Sequence, residues 1–143
     1  MNRQGYTLVE LMITTAIIII LSALILPKMA DVVRVAIEGR TRANLAIVRH
    51  AILAYYGDFQ RYPTDHLGDL IDKGYLPHGL PMIAEPPYHA DGNGVCTGPL
   101  SVDTFVACND AYVYDNDPNS PTWGIVVLTC IHQDSRGRVW SSY

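Results

Sequence analysis

The 143-residue chain lacks the residue patterns on which most catalytic and ligand-binding sites depend. The segment Gly92-Asn93-Gly94 is not followed by the lysine and helix of a phosphate-binding loop. No two cysteines form a C-x-x-C pair, which disfavours a zinc site, and no histidine stands at helical spacing from another histidine or a cysteine. No serine, cysteine or carboxylate pair stands in a recognisable catalytic frame. We therefore expect no enzymatic activity.

Basic residues are scarce in the C-terminal part of the chain. Residues 58–143 hold four basic and eleven acidic side chains, a net charge of −7, whereas residues 6–57 carry a net charge of +2. This acidic C-terminal part lacks the basic patch of a nucleic-acid-binding protein, so direct binding of nucleic acid is not expected. The opposite charges of the two parts either help copies of the chain to pack or are ordinary solvated charge.

Charge is almost absent from the long apolar run near the N terminus. Residues 6–26 read YTLVELMITTAIIIILSALIL and contain one charged side chain, Glu10. As a helix, this run would be roughly 30 Å long, enough to cross a bilayer. It is too long for a signal-peptide core, and neither a good cleavage site nor a nearby cysteine follows it. A carboxylate in lipid costs at least about 2.5 kcal/mol, so Glu10 indicates a function that requires a partner group.

The segment GYTLVELM, from Gly5 to Met12, resembles the prepilin processing motif of type IV pilins and type II secretion pseudopilins. The resemblance implies a leader peptide over residues 1–5, cleavage after Gly5 and N-methylation of Tyr6, which stands where the family usually has phenylalanine. Glu10 holds the acidic position of the motif, and Pro27 falls where these helices commonly bend. A plain membrane anchor is the alternative, but it explains neither Glu10 nor the residues around the cleavage site.

The resemblance also implies a partner for Glu10. Cleavage would create a positive α-amine on Tyr6, which Glu10 of a neighbouring subunit could bind. At a separation of about 4 Å the two charges attract by roughly 4 kcal/mol at an effective dielectric constant of about 20. The pair would align subunits in a filament, so the implied protein is a structural subunit.

The same resemblance implies partners and a location. The partners are other copies of the chain, related minor pilins, the prepilin peptidase and an inner-membrane assembly platform. The chain would begin as a single-pass protein of the inner membrane and end in a periplasmic or extracellular filament. A membrane-anchored domain that never polymerises is a further interpretation, and it requires that the Gly5–Tyr6 bond remains uncut.

Two filament systems remain open at this point. A subunit of a type IV pilus-like filament is the first interpretation, and a pseudopilin of a type II secretion system is the alternative. The turn at Pro63 favours secretion. Residues 132–143 lack the glycine-rich acidic ending of the major pseudopilins, which favours a pilus.

Hydrophobic periodicity predicts an α+β fold, in which a long N-terminal helix packs on a small antiparallel sheet. Residues 6–27 form the transmembrane or filament-core helix, residues 28–59 continue it as an amphipathic helix, and residues 60–143 form the head. Arg42, Arg49 and His50 are predicted to point away from the apolar face of the helix. The residues predicted on that face are Leu45, Val48, Ile52, Tyr55 and Phe59.

Turn and strand propensities predict the elements of the head. Pro77–Gly98 is expected to be loop because it is rich in proline and glycine. A short helix over His66–Lys73 is expected, with Thr64 or Asp65 as its cap and Gly74 as its end. The predicted strands are Thr104–Ala107, Ala111–Tyr114, Trp123–Thr129 and Val139–Ser142.

The three cysteines, Cys96, Cys108 and Cys130, all lie in the head. A head outside the cytoplasm is expected to contain one disulfide bond. The pair Cys96–Cys108 closes a short loop and is the first choice, whereas Cys108–Cys130 as a cross-strand pair and three reduced thiols are the alternatives.

An acidic loop is the one candidate metal site. Asp115, Asn116, Asp117 and Asn119 crowd it, with Asp110 nearby. Such oxygen ligands suit Ca²⁺, and the resemblance to secretion pseudopilins adds a precedent for calcium in the head. An ordinary turn rich in aspartate and asparagine is the alternative. No other cofactor is expected.

Overall fold

The computed structural model describes residues 6–85, 89–108 and 111–143. The predicted leader with Gly5, and Asp110 of the acidic loop, lie outside the described residues. The contacts divide the chain into two compact units, Met1–Val35 and Ala36–Tyr143.

The long helix α1 comprises Leu8–Phe59. Its start is capped by Thr7, whose hydroxyl oxygen accepts a hydrogen bond of 3.2 Å from the backbone N–H of Glu10. Thr7 and Glu10 have the spacing of a capping box, in which a threonine side chain binds one of the N–H groups that the first turn leaves unpaired. The helix continues through Pro27, although proline removes one backbone hydrogen bond. The predicted single long helix is therefore confirmed.

In the second unit one face of α1 is buried against the head. The apolar face predicted at Leu45, Val48, Ile52 and Tyr55 is confirmed, since each of these side chains is at most 2% exposed. Phe59, the last predicted member, is 43% exposed. The buried residues of the helix also include Glu38, Thr41 and Ala51.

The head contains two small sheets. Strand β1 (Ile83–Glu85) pairs in antiparallel orientation with β2 (His89–Gly92). The second sheet has the order β3 (Val95–Thr97), β4 (Tyr112–Tyr114) and β5 (Val126–Leu128). Its β4 and β5 are antiparallel and buried on both faces, as their β-branched and aromatic residues favour. The α+β class predicted from periodicity is thus confirmed, although the β3–β4 pairing is parallel.

The parallel pairing explains one wrong prediction. Thr104–Ala107 was expected to be a strand, but it belongs to helix α3 (Val102–Ala107), which connects β3 to β4. A parallel pair needs a crossover connection, and a helix commonly supplies it. Ser101 caps α3 by accepting a hydrogen bond of 3.2 Å from the backbone N–H of Thr104, a local signal that outweighs the strand propensity of this segment.

Three other boundaries differ from the predictions. Val139–Ser142 was expected to be a strand but is a 3₁₀ turn over Trp140–Ser142, while Val139 itself forms a single bridge to Gln133. Pro77–Gly98 was expected to be loop but contributes β1, β2 and β3. Trp123–Thr129 contains a shorter strand than expected, since only β5 within it is paired. The extents of β3 and β5 are set by their pairing with β4, which local propensity does not contain.

The short helix α2 comprises Gly68–Asp72 rather than His66–Lys73. Neither predicted cap stands at its N-cap position, which is held by Leu67 in a left-handed conformation (φ 68°). The carboxylate of Asp65 nevertheless accepts a hydrogen bond of 3.0 Å from the N–H of Asp69. Asp65 therefore binds an N–H group of the first turn from outside the helix.

Candidate assembly surface

The first half of α1 presents apolar side chains on all sides. Every described residue from Tyr6 to Val33 is exposed. Leu8 is 75%, Ile19 67% and Leu26 69% exposed, values unusual for apolar residues of a folded protein. Within α1, a stretch of 18 residues has a mean hydropathy of 2.6, and none of these residues is buried. The segment is therefore long and apolar enough to cross a membrane. Because contact between so much apolar surface and water is unfavourable, this segment requires an apolar partner.

The polar side chains of this segment bind their own helix. The hydroxyl of Thr14 donates to the carbonyl oxygen of Leu11 at 2.9 Å. The hydroxyl of Thr15 lies 3.0 Å from the carbonyl oxygens of both Leu11 and Met12. Because these hydroxyls are paired within the helix, they add little to the cost of an apolar environment.

Glu10 lies in the first turn of α1 and is exposed. Tyr6, two residues before the helix, is 77% exposed. Both residues of the predicted pair, Tyr6 and Glu10, are therefore exposed at the end of the helix. The first turn also carries the positive end of the helix dipole, which favours a carboxylate there.

Beyond the first half, polar side chains of α1 bind the head. The carboxylate of Glu38, buried completely, accepts hydrogen bonds of 3.0 and 3.2 Å from the N–H of Ser135 and a further one from its hydroxyl. Thr41 also contacts the edge of β1, because its hydroxyl donates to the carbonyl oxygen of Ala84 at 2.6 Å and accepts from the N–H of Ala84 at 3.1 Å. These bonds fix the rotation of the helix against the head.

Arg42 is the centre of the contact with the C-terminal segment. Its Nη1 lies 2.7 Å from Oδ2 of Asp134 and donates to the hydroxyl oxygen of Tyr143 at 3.1 Å. The guanidinium also lies over the rings of Trp140 and Tyr143, 5.8 and 5.5 Å from their centres. Such stacking suits arginine because its planar cation is weakly hydrated.

Asp134 is held as a buried carboxylate. Burial by itself would raise its pKa, but hydrogen bonds outweigh this effect, and the pKa lies below its usual value. The donors are the Tyr143 hydroxyl and the backbone N–H groups of Arg138 and Arg136, to which the charge of Arg42 adds. The charged form of Asp134 is therefore part of the folded head.

Arg49 forms a second contact of this kind. Its Nε and Nη2 donate to the carbonyl oxygen of Val126 at 3.2 and 2.9 Å, and Nη2 also donates to the main-chain oxygen of Tyr143. The prediction that Arg42 and Arg49 point away from the apolar face is wrong. Both have long side chains whose apolar stems pack while the charged end reaches a partner. The sequence does contain a signal for this placement. Arg42 lies three residues before Leu45 and Arg49 four residues after it, which puts both on the same side of the helix as Leu45.

The comparisons with known proteins agree with these features. A family model described as the prokaryotic N-terminal methylation motif matches residues 1–26. The competence protein ComGC of Halalkalibacterium halodurans is 36% identical over 77 residues, which cover 54% of this chain and 74% of that protein. The chain belongs to the family of type IV pilin-like proteins, the prepilins and pseudopilins. No solved structure matches it. Members of this family are structural subunits of filaments.

In the head of this pilin-like subunit, Cys96 and Cys108 are joined in a disulfide. The bond links β3 to the residue that follows α3 and closes the crossover between two parallel strands. Cys130 is buried next to β5, with its Sγ 3.2 Å from Nδ1 of His132. The structure thus shows the first of the pairings that the sequence left open.

The acidic loop of the pilin-like head is organised as a turn. Asp115 is completely buried, and its carboxylate accepts hydrogen bonds from the hydroxyls of Ser120 and Thr122 and from the N–H of Asp117. Burial alone would raise the pKa of Asp115, but these bonds lower it. The carboxylate of Asp117 accepts from the N–H of Asn119 at 2.9 Å. Within residues 6–85, 89–108 and 111–143 no three potential metal ligands gather, and calcium binding stays a prediction.

Proposed function

We propose that this chain is the subunit of a type IV pilus-like filament that serves competence, the uptake of DNA. One observation carries the proposal. The apolar part of α1 is long enough to span a membrane and has none of its residues buried, yet it contains one charged side chain up to Leu26, that of Glu10. A permanent anchor would need the length but not the acid. The similarity to a competence protein supports this branch of the family.

The proposed assembly begins with cleavage after Gly5 and N-methylation of Tyr6. The new α-amine of one subunit then pairs with Glu10 of its neighbour as the helix leaves the membrane. An unpaired charge buried in an apolar filament core would cost several kcal/mol. A subunit without its amine, or without its acid, is therefore excluded from the growing end.

When the first half of α1 leaves the lipid, it enters a second apolar environment, the core of the filament. The helices of successive copies pack together and bury the side chains that are exposed in the single chain. Each contact joins two different faces of identical subunits, so the array extends without closing. The acidic heads, with a net charge of −7 over residues 58–143, form the outside of the polymer.

In this proposal the chain begins as a single-pass protein of the inner membrane and works in a periplasmic or extracellular filament. It depends on a prepilin peptidase, an assembly platform and related minor pilins. An acidic head is a poor surface for DNA because both carry negative charge. We therefore assign any contact with DNA to the minor pilins and a mechanical role to this subunit.

A deletion strain tests the proposal. Loss of the gene is expected to abolish natural transformation and surface filaments, and the wild-type gene is expected to restore both. Secretion of folded enzymes is measured in the same strain. A secretion defect with normal transformation would contradict the competence assignment and favour the type II secretion alternative. Mass spectrometry of the mature chain tests processing, since a chain that still carries residues 1–5 would contradict polymerisation by this route.

A further inference from the structure

A turn near the C terminus carries two exposed arginines. This arginine turn comprises residues 134–138, and both Arg136 and Arg138 are exposed. Their backbone N–H groups donate to Oδ1 of Asp134 at 2.8 and 2.9 Å, and Ser135 binds the turn to α1. The turn is therefore a preformed projection, which loses little conformational freedom on binding.

The side chains of the two arginines are available to another molecule. In the part of the chain that the structure describes, neither guanidinium lies within ion-pair distance of a carboxylate. The guanidinium of Arg138 lies over the ring of Tyr143, 4.6 Å from its centre, which leaves its charge in place. Exposed charge of this kind attracts a surface of opposite sign and orients it.

The carboxylates that hold the arginine turn do not cancel its exposed charge. Glu38 and Asp134 are buried. Glu38 accepts hydrogen bonds from Ser135, and Asp134 pairs with Arg42 at 2.7 Å. These three charged groups and the two exposed arginines together carry a net charge of +1. The negative groups lie inside the head and the arginines outside, so the surface of the turn is positive.

A second part of the head has the opposite charge. This acidic end comprises residues 58–73 and 115–117, which lie together because the side-chain amide of Asn116 donates to a carbonyl oxygen of the first segment at 3.1 Å. The two segments contain six aspartates, one arginine and one lysine. Their net charge is therefore −4, more than half of the net charge of the head.

Part of this negative charge is already used inside the head. Asp58 and Asp115 accept hydrogen bonds from hydroxyl groups, and Asp69 pairs with the lysine of its own segment at 3.0 Å. Asp72 and Asp117 are exposed, and neither has a cationic partner among the described residues. Their carboxylates are therefore available to the arginines of another copy.

The arginine turn and the acidic end are separated along α1. The turn contacts the helix at Arg42, whereas the acidic end contacts it at Tyr55, whose hydroxyl donates to Asp69 at 2.8 Å. At a rise of about 1.5 Å per residue, Arg42 and Tyr55 are roughly 20 Å apart. This exceeds the Debye length of about 8 Å at physiological ionic strength. The two surfaces therefore do not neutralise each other within one copy.

We propose that the arginine turn of one copy binds the acidic end of a second copy of this chain, where Asp72 and Asp117 receive the two guanidinium groups. The inference rests on the proposed filament function, in which all copies point in the same direction. A contact between two different surfaces of one subunit repeats along such an array without closing. Exposed ion pairs add little affinity, so this contact sets the orientation of neighbouring heads while the N-terminal helices supply the packing.

Nucleic acid is the rival partner for two exposed arginines. A long polyanion that reaches the arginine turn also meets the rest of the head, whose net charge over residues 58–143 is −7. A second copy, displaced along the helix, brings its acidic end to the turn and leaves its other surfaces apart. The distribution of charge thus favours the second copy.

Zero-length crosslinking in assembled filaments tests the contact directly. Arg136→Lys keeps the positive charge and supplies an amine, which a carbodiimide joins to a carboxylate when the two groups are in contact. Filaments are grown from a mixture of isotopically light and heavy subunits, so that bonds between copies are distinguished from bonds within one copy. Mass spectrometry is expected to find position 136 of one copy joined to Asp72 or Asp117 of another.

The same experiment has two results that would overturn the contact. They are the absence of coupling at position 136 and coupling to carboxylates outside the acidic end, and both leave the filament function intact. A wild-type chain that forms no filaments would overturn the filament function as well. Wild-type filaments treated in the same way are the control, because they show the bonds made by Lys28 and Lys73.

Charge reversal tests whether the contact supports assembly. The double variant Arg136→Glu, Arg138→Glu is expected to reduce filament yield about tenfold at low ionic strength and less at high salt, where charges are screened. The matched control is Arg61→Glu, which reverses an exposed arginine inside the acidic end and is expected to leave the yield unchanged or higher. Equal losses from both would indicate general disruption and overturn the contact. Unfolding temperatures in detergent show that the variants fold.

A charge exchange identifies the partners. Adding Asp72→Lys and Asp117→Lys to the double reversal restores attractive pairs and is expected to recover most of the filament yield. If the combined variant is no better than the double reversal, the two surfaces do not meet, and the proposal fails. Normal filaments from the double reversal would also overturn it, and loss of transformation in that strain would assign the arginines to DNA.

Discussion

Arg42 and Asp134 join the long helix to the last segment of the head through an ion pair of 2.7 Å. The carboxylate is completely buried and the arginine side chain is 18% exposed. The pair is therefore shielded from water and salt, unlike the ion pair of Arg40 and Asp91, whose side chains are 51% and 49% exposed. The two arginines lie two residues apart on one helix but have different energetic roles.

Arg42→Ala is expected to destabilise the head by about 3 kcal/mol, because it leaves the buried carboxylate of Asp134 without its cation. Thermal unfolding of the full chain in detergent, followed by circular dichroism, measures the change. Arg40→Ala is the matched control and is expected to cost less than about 1 kcal/mol. Equal effects of the two substitutions would show that the Arg42 contact is not specially stabilising.

The stability of the head is expected to fall in acid. The pKa values of Asp134 and Asp115 are both lower in the folded chain than the ordinary value of 3.8. A carboxylate whose pKa is lower in the folded chain than in the unfolded chain stabilises the fold. This stabilisation is fully present above the pKa of the unfolded chain and is lost as the pH falls through the pKa of the folded chain. The unfolding temperature should therefore be level above about pH 5 and decline below about pH 4.

The matched variant for this pH dependence is Asp134→Asn. It lacks the carboxylate and is expected to show a shallower decline of unfolding temperature in acid, starting from a lower plateau. An unchanged slope between pH 5 and pH 2 would assign the acid sensitivity to other carboxylates.

Glu10→Ala is expected to leave membrane insertion and leader cleavage intact and to abolish filaments. The helix becomes more apolar, so insertion is easier, but the α-amine of the neighbouring Tyr6 loses its partner. Membrane fractionation and electron microscopy measure the two steps. Glu10→Asp keeps the charge on a shorter side chain and is the control, expected to retain part of the filament yield. Normal filaments from Glu10→Ala would contradict the pairing.

Gly124→Ala is expected to destabilise the head by more than the roughly 1–2 kcal/mol of a left-handed alanine. Gly124 has a φ of 84°, and an added Cβ would lie 2.5 Å from the ring of Tyr62. Gly74→Ala is the control, since its φ of 82° is nearly the same but its Cβ would meet open space. Unfolding temperatures of the two variants separate the steric clash from the backbone strain. Equal values would show that the ring of Tyr62 moves aside without cost.

The order of the amino acids is sufficient to predict the membrane-length helix, the processing motif and the family. These are local properties, because Gly5, Tyr6 and Glu10 stand within six residues and an apolar run needs no partner to be recognised. The apolar face at Leu45, Val48, Ile52 and Tyr55 could also be predicted, since apolar residues spaced three and four apart indicate one face of a helix.

The polar residues of α1 that bind the head are identified by the folded structure and not by the spacing of residues. Glu38, Arg42 and Arg49 share a face with Leu45, but their partners lie between 77 and 101 residues away in the chain. The conversion of Thr104–Ala107 from predicted strand to helix has the same origin, since a crossover is needed only once β3 and β4 are parallel. Periodicity identifies the face of a helix that is buried, whereas the partners of a buried charge depend on segments that only folding brings together.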